Sequence, residues 1–198
     1  MITDIRLAGQ QLAAPRFDTP KKLVSWMGAI QAQDYAMARW AVGIRLKSAT
    51  ARSVGEAFSR GEILRTHVMR PTWHLVAAED IRWMLKLSAR RIRSANESLA
   101  KGRQLELTEQ LHYRCDRLLE KMLEGNRNLT KQQIGEELNR QGIAADTPRL
   151  TRLLMRAETE AVVCSGPFSG GKQTYALLEE RVPPVPELHP DEALAKLA

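Results

Sequence analysis

Apolar residues recur along this chain at two spacings, one helical and one strand-like, and the switch between them happens twice in the same order. In the first half, residues 2–12 read as a helix. Thr19-Pro20 is then a cap and a first-turn proline, opening a helix that buries Leu23, Met27 and Ile30. Residues 37–46 predict another helix, and Ser53-Val54-Gly55-Glu56 is a capping box for the next. Residues 63–69 and 72–76 then alternate as strands, with a hairpin turn at Arg70-Pro71. Glu79-Asp80 opens a long helical stretch over 81–123, broken near Gly102.

The second half repeats the plan more cleanly. Thr130-Lys131-Gln132-Gln133 is a capping box opening a helix that buries Ile134 and Leu138 and stops at Gln141-Gly142. Asp146-Thr147-Pro148 starts the next helix, whose apolar stripe is Leu150, Leu153, Leu154 and Ala157. Two strand-like runs follow, 161–164 and 173–177, around a Gly- and Ser-rich loop. Helix, turn, helix, hairpin is the winged-helix order. The expected fold is therefore mainly α with small β-hairpins, an α+β chain built of tandem winged helix-turn-helix units. These units are placed at 1–85 and 125–180, joined by a helical bridge over 86–124. Residues 181–198 carry Pro183, Pro184, Pro186 and Pro190, a stiff linker, followed by a short helix start with nothing to pack against. That segment reads as the beginning of a further, truncated unit.

Composition narrows the partner. With 198 residues, 43% of them hydrophobic, the chain can bury a real core, and a prior of roughly 100 to 150 residues per domain permits one or two domains. Only 27% of residues are charged, which excludes wholesale disorder. The net charge of +7 favours a polyanionic partner or an anionic surface. Arg149, Arg152 and Arg156 fall at i, i+3, i+7 on one helix face, suited to phosphates but equally readable as a solvated face. Gly166, Gly170, Gly171 and Lys172 read as a phosphate-touching wing tip or as an ordinary loop. They are not a nucleotide-binding P-loop, which needs a strand-to-helix context. No apolar run approaches the roughly 18 residues of a membrane span, and no signal-peptide order opens the chain. Cys115 and Cys164 lack ligand spacing and read as reduced thiols, so a cytoplasmic location is expected.

The chemistry candidates are few. Gln31 and Gln33 flank Ala32 where the second helix is expected to end. In extended backbone an i, i+2 pair points to one side, where two carboxamides could hold a water without carrying charge. The plainer reading is a pair of helix-end polar residues. His67 and His74 are placed facing each other across the first hairpin. With no Cys, third His or acidic cluster nearby they do not make a zinc site, and no metal is expected. Period two puts Thr72 and His74 on one face of the second strand and Trp73 and Leu75 on the other. Tyr35 and Trp40 are the nearest aromatics, suited to the core or to stacking on a base. No Ser-His-Asp arrangement and no lysine in an apolar window emerge.

Taken together, Gln31-Ala32-Gln33, the following Ala36-Met37-Ala38-Arg39-Trp40-Ala41, and Arg65-Thr66-His67-Val68-Met69-Arg70-Pro71-Thr72-Trp73-His74-Leu75-Val76 resemble the AlkZ-like family of winged-helix DNA glycosylases. That family carries Gln, aliphatic, Gln, or Gln, aliphatic, Asp in its other branch. The resemblance implies excision of alkylated or crosslinked purines from duplex DNA, with Gln31 and Gln33 catalytic and no cofactor. The DNA contacts expected alongside are Arg65, Arg70, Thr72, His74, Arg149, Arg152, Arg156 and Lys172. One departure stands out: the family resembles a tandem of three winged-helix units, and this chain has room for about two. Spacing and composition by themselves favour a non-enzymatic winged-helix regulator, and a protein–protein adaptor is a third reading.

Overall fold

Glycine decides where the second helix ends. In the computed structural model, which describes residues 1–197, α1 spans Ile2–Gly9 and α2 spans Pro20–Met27. Thr19 caps α2 by accepting from the Lys22 N–H at 3.4 Å. Gly28 adopts φ +70, a conformation other residues rarely enter, and the chain leaves the helix there. The expectation that α2 runs to Ile30 is therefore corrected: Ile30 and Gln31 form a short strand, β1 (Ile30–Gln31).

Asp34 caps α3 (Tyr35–Gly43) through the Met37 N–H. The next helix, α4 (Ala51–Ser59), also corrects the sequence reading. Its N-cap is Thr50, and Ser53 is the reciprocal partner in the capping box rather than the cap. The hairpin follows as β2 (Ile63–His67) and β3 (Trp73–Ala77). β3 is central, with β1 and β2 antiparallel on its two sides. Register pairs His67 with Trp73 and Thr66 with His74, so the two histidines do not face each other as expected.

Helix α5 (Ile81–Lys101) and helix α6 (Glu109–Leu123) are separated by the break expected near Gly102. Then β4 (Leu129–Thr130), α7 (Lys131–Arg140), α8 (Thr147–Thr159), β5 (Val163–Ser165) and β6 (Thr174–Leu177) repeat the earlier order. The second sheet again places its last strand in the middle, β4-β6-β5. Both halves thus share one plan: helix, short strand, two helices, hairpin. α6, assigned from sequence to the bridge, supplies Cys115, Leu119, Met122 and Leu123 to the core of the second repeat, with Ile134, Leu138, Leu153 and Val163.

The first repeat has its own core around Leu23, Val42, Phe58, Ile63 and Leu75. A third apolar cluster lies between the repeats, where Leu64, Val76 and Met84 meet Cys164, Leu178 and Val182. β3 is consequently covered on both faces, and the clean in-out alternation expected of it is absent.

The C-terminal segment also differs from expectation. α9 (Leu178–Arg181) is followed by a proline-rich stretch and α10 (Pro190–Leu197). α10 packs back on α5: Ala193 is buried, and Lys196 reaches the buried Asp80 at 2.5 Å. Ala198, the last residue of the expected truncated unit, lies outside the described residues. No helix among the described residues is long and apolar enough to cross a membrane.

Candidate catalytic motif and nucleic-acid surface

Strand pairing at Gln31 and Ala32, followed by a bend at Gln33, gives the Gln31-Ala32-Gln33 segment its shape. Ala32 is fully buried while Gln31 and Gln33 are exposed, the alternation that puts both carboxamides on one side. Pairing fixes the segment from one flank. Gln31 stands opposite His74, and the Ala32 N–H donates to the Trp73 carbonyl at 2.7 Å. The Trp73 N–H in turn donates to Gln33 Oε1 at 3.3 Å, and Arg70 Nη2 donates to Gln31 Oε1 at 3.2 Å. Each carboxamide oxygen keeps a second lone pair for another donor, such as a water.

Arg65 holds the other flank. Its Nε–H donates to the Ala32 carbonyl at 2.8 Å and its Nη2 to the Gln33 carbonyl at 2.9 Å. Nη1 reaches Gln173 Oε1 of the second repeat at 2.5 Å, and the guanidinium lies 4.5 Å from the centre of the Trp73 ring. All three nitrogens of the Arg65 guanidinium, expected from sequence to contact DNA, bond within the protein. Burial pulls its pKa down, countered by Tyr175, Glu158, Tyr35 and Asp34.

His74 is nearly buried, with Nδ1 2.9 Å from the Thr72 carbonyl. That nitrogen must carry the hydrogen, which leaves Nε2 of the neutral ring as an acceptor. Burial lowers the His74 pKa, Arg70 and His67 act the same way, and the Thr72 bond opposes them. The Thr72 hydroxyl is buried and has no hydrogen-bond partner among the described residues. Arg70 is exposed beside the pair, just after Met69, a non-glycine residue at φ +64.

The aromatics divide. Tyr35 is half-buried, stacked on Phe168 at 4.4 Å and tilted against Phe58 at 5.0 Å, and burial pushes its phenol up to about 12. Trp40, readable as core from its helical spacing, is instead 60% exposed, with Met37 one turn earlier also exposed. Phe168 belongs to the loop of the second hairpin, so this loop docks beside the motif rather than projecting freely. The exposed Lys172 marks its tip, next to Gly170 and Gly171 at positive φ.

The arginine face of α8 is largely committed within the protein. Arg156 makes a two-pronged contact with Glu109 at 3.0 and 3.2 Å and pairs with Glu160 at 2.9 Å. Arg149 donates to the Glu106 carbonyl at 2.9 Å and lies 3.7 Å from Asp146. Arg152 differs: it faces no carboxylate within ion-pair distance among the described residues. Burial lowers its pKa and neighbouring Arg103 adds to the effect, while Lys131 is shifted the same way by burial and by Arg152.

Four contributors escaped the sequence reading: Ser165, Phe168 and Gln173 on the second hairpin, and Glu158 on α8. Only Glu158 left a signal. It follows Leu154 by one helical turn, a charge on a buried stripe, and it is fully buried with Oε2 2.5 Å from His67 Nδ1. His67 packs on Trp73 at 4.1 Å between ring centres, so the pair lies directly behind the motif. Both cysteines are buried and their thiols are pushed up to about 12, which makes neither a nucleophile. No group of three or more His, Cys, Asp or Glu residues that could hold a metal exists among the described residues.

Comparison with solved structures gives a match to the Streptomyces sahachiroi DNA glycosylase AlkZ, with a TM-score of 0.72 and 22% sequence identity. The match covers 97% of this chain and 53% of that one, so the chain spans about half the length of the solved structure. At this identity the likeness speaks for the fold. No curated protein sequence matches significantly. The family model described as DNA glycosylase AlkZ-like matches residues 24–198, so the chain belongs to the AlkZ-like DNA glycosylase family.

Proposed function

We propose that this protein acts in duplex DNA on purines carrying a cationic N7 or N3 adduct, or a crosslink, and hydrolyses their N-glycosidic bond. The observation that carries this reading is the pair of exposed carboxamides, Gln31 and Gln33, with Ala32 buried between them and each carboxamide oxygen held by a donor. In an alkylated purine the base already bears positive charge, so the bond from the sugar carbon breaks with its electron pair neutralising the base. No acid is needed to protonate the leaving group. What remains is to place a water at the sugar carbon as an oxocarbenium-like state develops. The water oxygen bonds to that carbon and its proton passes to solvent.

Gln33 suits the orienting role. The Trp73 N–H fixes one side of its oxygen, and the free lone pair can accept from the attacking water. Gln31, steadied by Arg70, assists. Neutral carboxamides are too weak to drive release of an undamaged base, which makes selectivity a consequence of the chemistry. DNA would be held by the exposed Arg70, by Arg152 on α8 and by Lys172 at the hairpin tip. The test is incubation with duplex DNA containing N7-methylguanine, following release of the free base. Release supports the glycosylase; DNA binding without release points to a winged-helix regulator.

A further inference from the structure

We infer that Arg65 is the positioning residue of this site and that Gln173, contributed by the second repeat, sets it in place. The inference deepens the glycosylase reading and rests on it. An arginine half-buried without a carboxylate within ion-pair distance among the described residues is a costly arrangement, since burial already lowers its pKa. Its geometry shows what the charge is used for. Nε and Nη2 donate to two consecutive carbonyls, those of Ala32 and Gln33, as a fork only a planar guanidinium provides.

Those two carbonyls belong to Ala32, between the carboxamide residues, and to Gln33, the second of them. A fork across them fixes the backbone direction from Ala32 to Gln33, and with it the side on which Gln33 presents its amide. The opposite flank is held by Trp73, whose backbone bonds both the Ala32 N–H and Gln33 Oε1 and whose ring lies against the guanidinium. The motif is thus gripped between Arg65, which holds its backbone, and Trp73, which holds the Ala32 N–H and the Gln33 side-chain oxygen.

The remaining arm of the guanidinium crosses to the second repeat. Nη1 donates to Gln173 Oε1, and the Arg65 backbone N–H donates to Ser165 Oγ at 2.9 Å. Gln173 and Ser165 flank the loop whose Phe168 stacks on Tyr35. Gly166 in that loop has no room for a side chain, because an added Cβ would stand 2.4 Å from Thr174 Oγ1 and 2.6 Å from Asn128 Oδ1. The base of the loop is therefore tightly packed within the second repeat, which reaches the motif through Gln173, Ser165 and Phe168 without touching the reacting atoms.

The test uses single-turnover release of N7-methylguanine from duplex DNA, separating the rate constant at saturating protein from the concentration giving half the maximal rate. Arg65→Ala should lower the rate constant by roughly 10-fold or more while half-saturation moves less than about threefold. Guanidinium ion added at millimolar concentration should restore part of the rate to Arg65→Ala and none to Gln33→Ala. Gln173→Ala, which leaves the fork intact but loosens it, should give a smaller loss of the same kind, and it serves as the reading if Arg65→Ala does not fold. A wild-type rate constant in either variant overturns the inference. So does a weakened half-saturation with an unchanged rate constant, which would make Arg65 a DNA contact. If the wild-type protein itself releases no base, the glycosylase reading falls first and this inference with it.

Discussion

His74 stands opposite Gln31 in the antiparallel pairing of β1 with β3, its Nδ1–H held by the Thr72 carbonyl and its ring nearly buried. Burial lowers the pKa of His74, and burial together with Arg156 lowers that of His112. A base with a depressed folded pKa contributes stability that is fully present above the unfolded value of about 6.5 and is lost as the pH falls toward the folded value. Asp116 acts in the opposite sense. Burial raises its pKa to about 6, so its contribution is present below the unfolded value of about 3.9 and lost as the pH rises through about 6. Urea unfolding at pH 4.5 and 7.5 should separate them. Asp116→Asn should gain on wild type at pH 7.5 relative to pH 4.5, by about 1 kcal/mol once solvent screening of a half-buried group is allowed for. His112→Asn should lose more relative to wild type at pH 7.5 than at pH 4.5. Equal differences at both pH values would refute the assignment.

Salt dependence should divide the arginines of α8. Each phosphate contact contributes a slope of about −0.9 in log K against log salt. Arg152→Ala should flatten the slope by about one unit, because Arg152 has no carboxylate partner within ion-pair distance among the described residues. Arg156→Ala and Arg149→Ala should leave it nearly unchanged, since those side chains are held by Glu109, Glu160, Glu106 and Asp146. Equal flattening by all three would mean that DNA displaces the internal partners.

The His67–Glu158 pair ties α8 to β2 behind the motif, and Glu158 is fully buried. Removing one partner of a buried pair typically costs about 3 to 5 kcal/mol. Glu158→Ala should therefore lower the unfolding free energy by about 3 kcal/mol or more in urea. Glu158→Gln, which keeps an acceptor for the His67 ring, should lose less. A Glu158→Ala protein as stable as wild type would show that the contact adds nothing.

The sequence carried the helices and hairpins because their signals are local. The Thr130–Gln133 capping box, the Gly142 stop and Pro148 each act within a turn of chain, and each appears where expected. Gly28 was the misread signal: the apolar Ala29 and Ile30 continued the helical pattern past a glycine that ends it, which hid the strand carrying Gln31. Thr50, rather than Ser53, as the cap is the same kind of local ambiguity. The support of the site was not legible at all. Arg65 and Gln173 are 108 residues apart in sequence, and His67 and Glu158 are 91 apart. No periodicity announces a partner chosen by how two repeats dock. The carboxamide pair was singled out by its spacing, but spacing alone favoured plain helix-end residues; Gln31 ends β1 and Gln33 lies just beyond it.

The central claim is that Gln33 orients the attacking water without ionising. The direct measurement is single-turnover release of N7-methylguanine from duplex DNA by Gln33→Ala, alongside its DNA affinity. A group that positions a nucleophile contributes a few kcal/mol, so the rate should fall by roughly 10²-fold or more with affinity nearly unchanged. Release at the wild-type rate would contradict the account and leave the exposed carboxamides without a catalytic role.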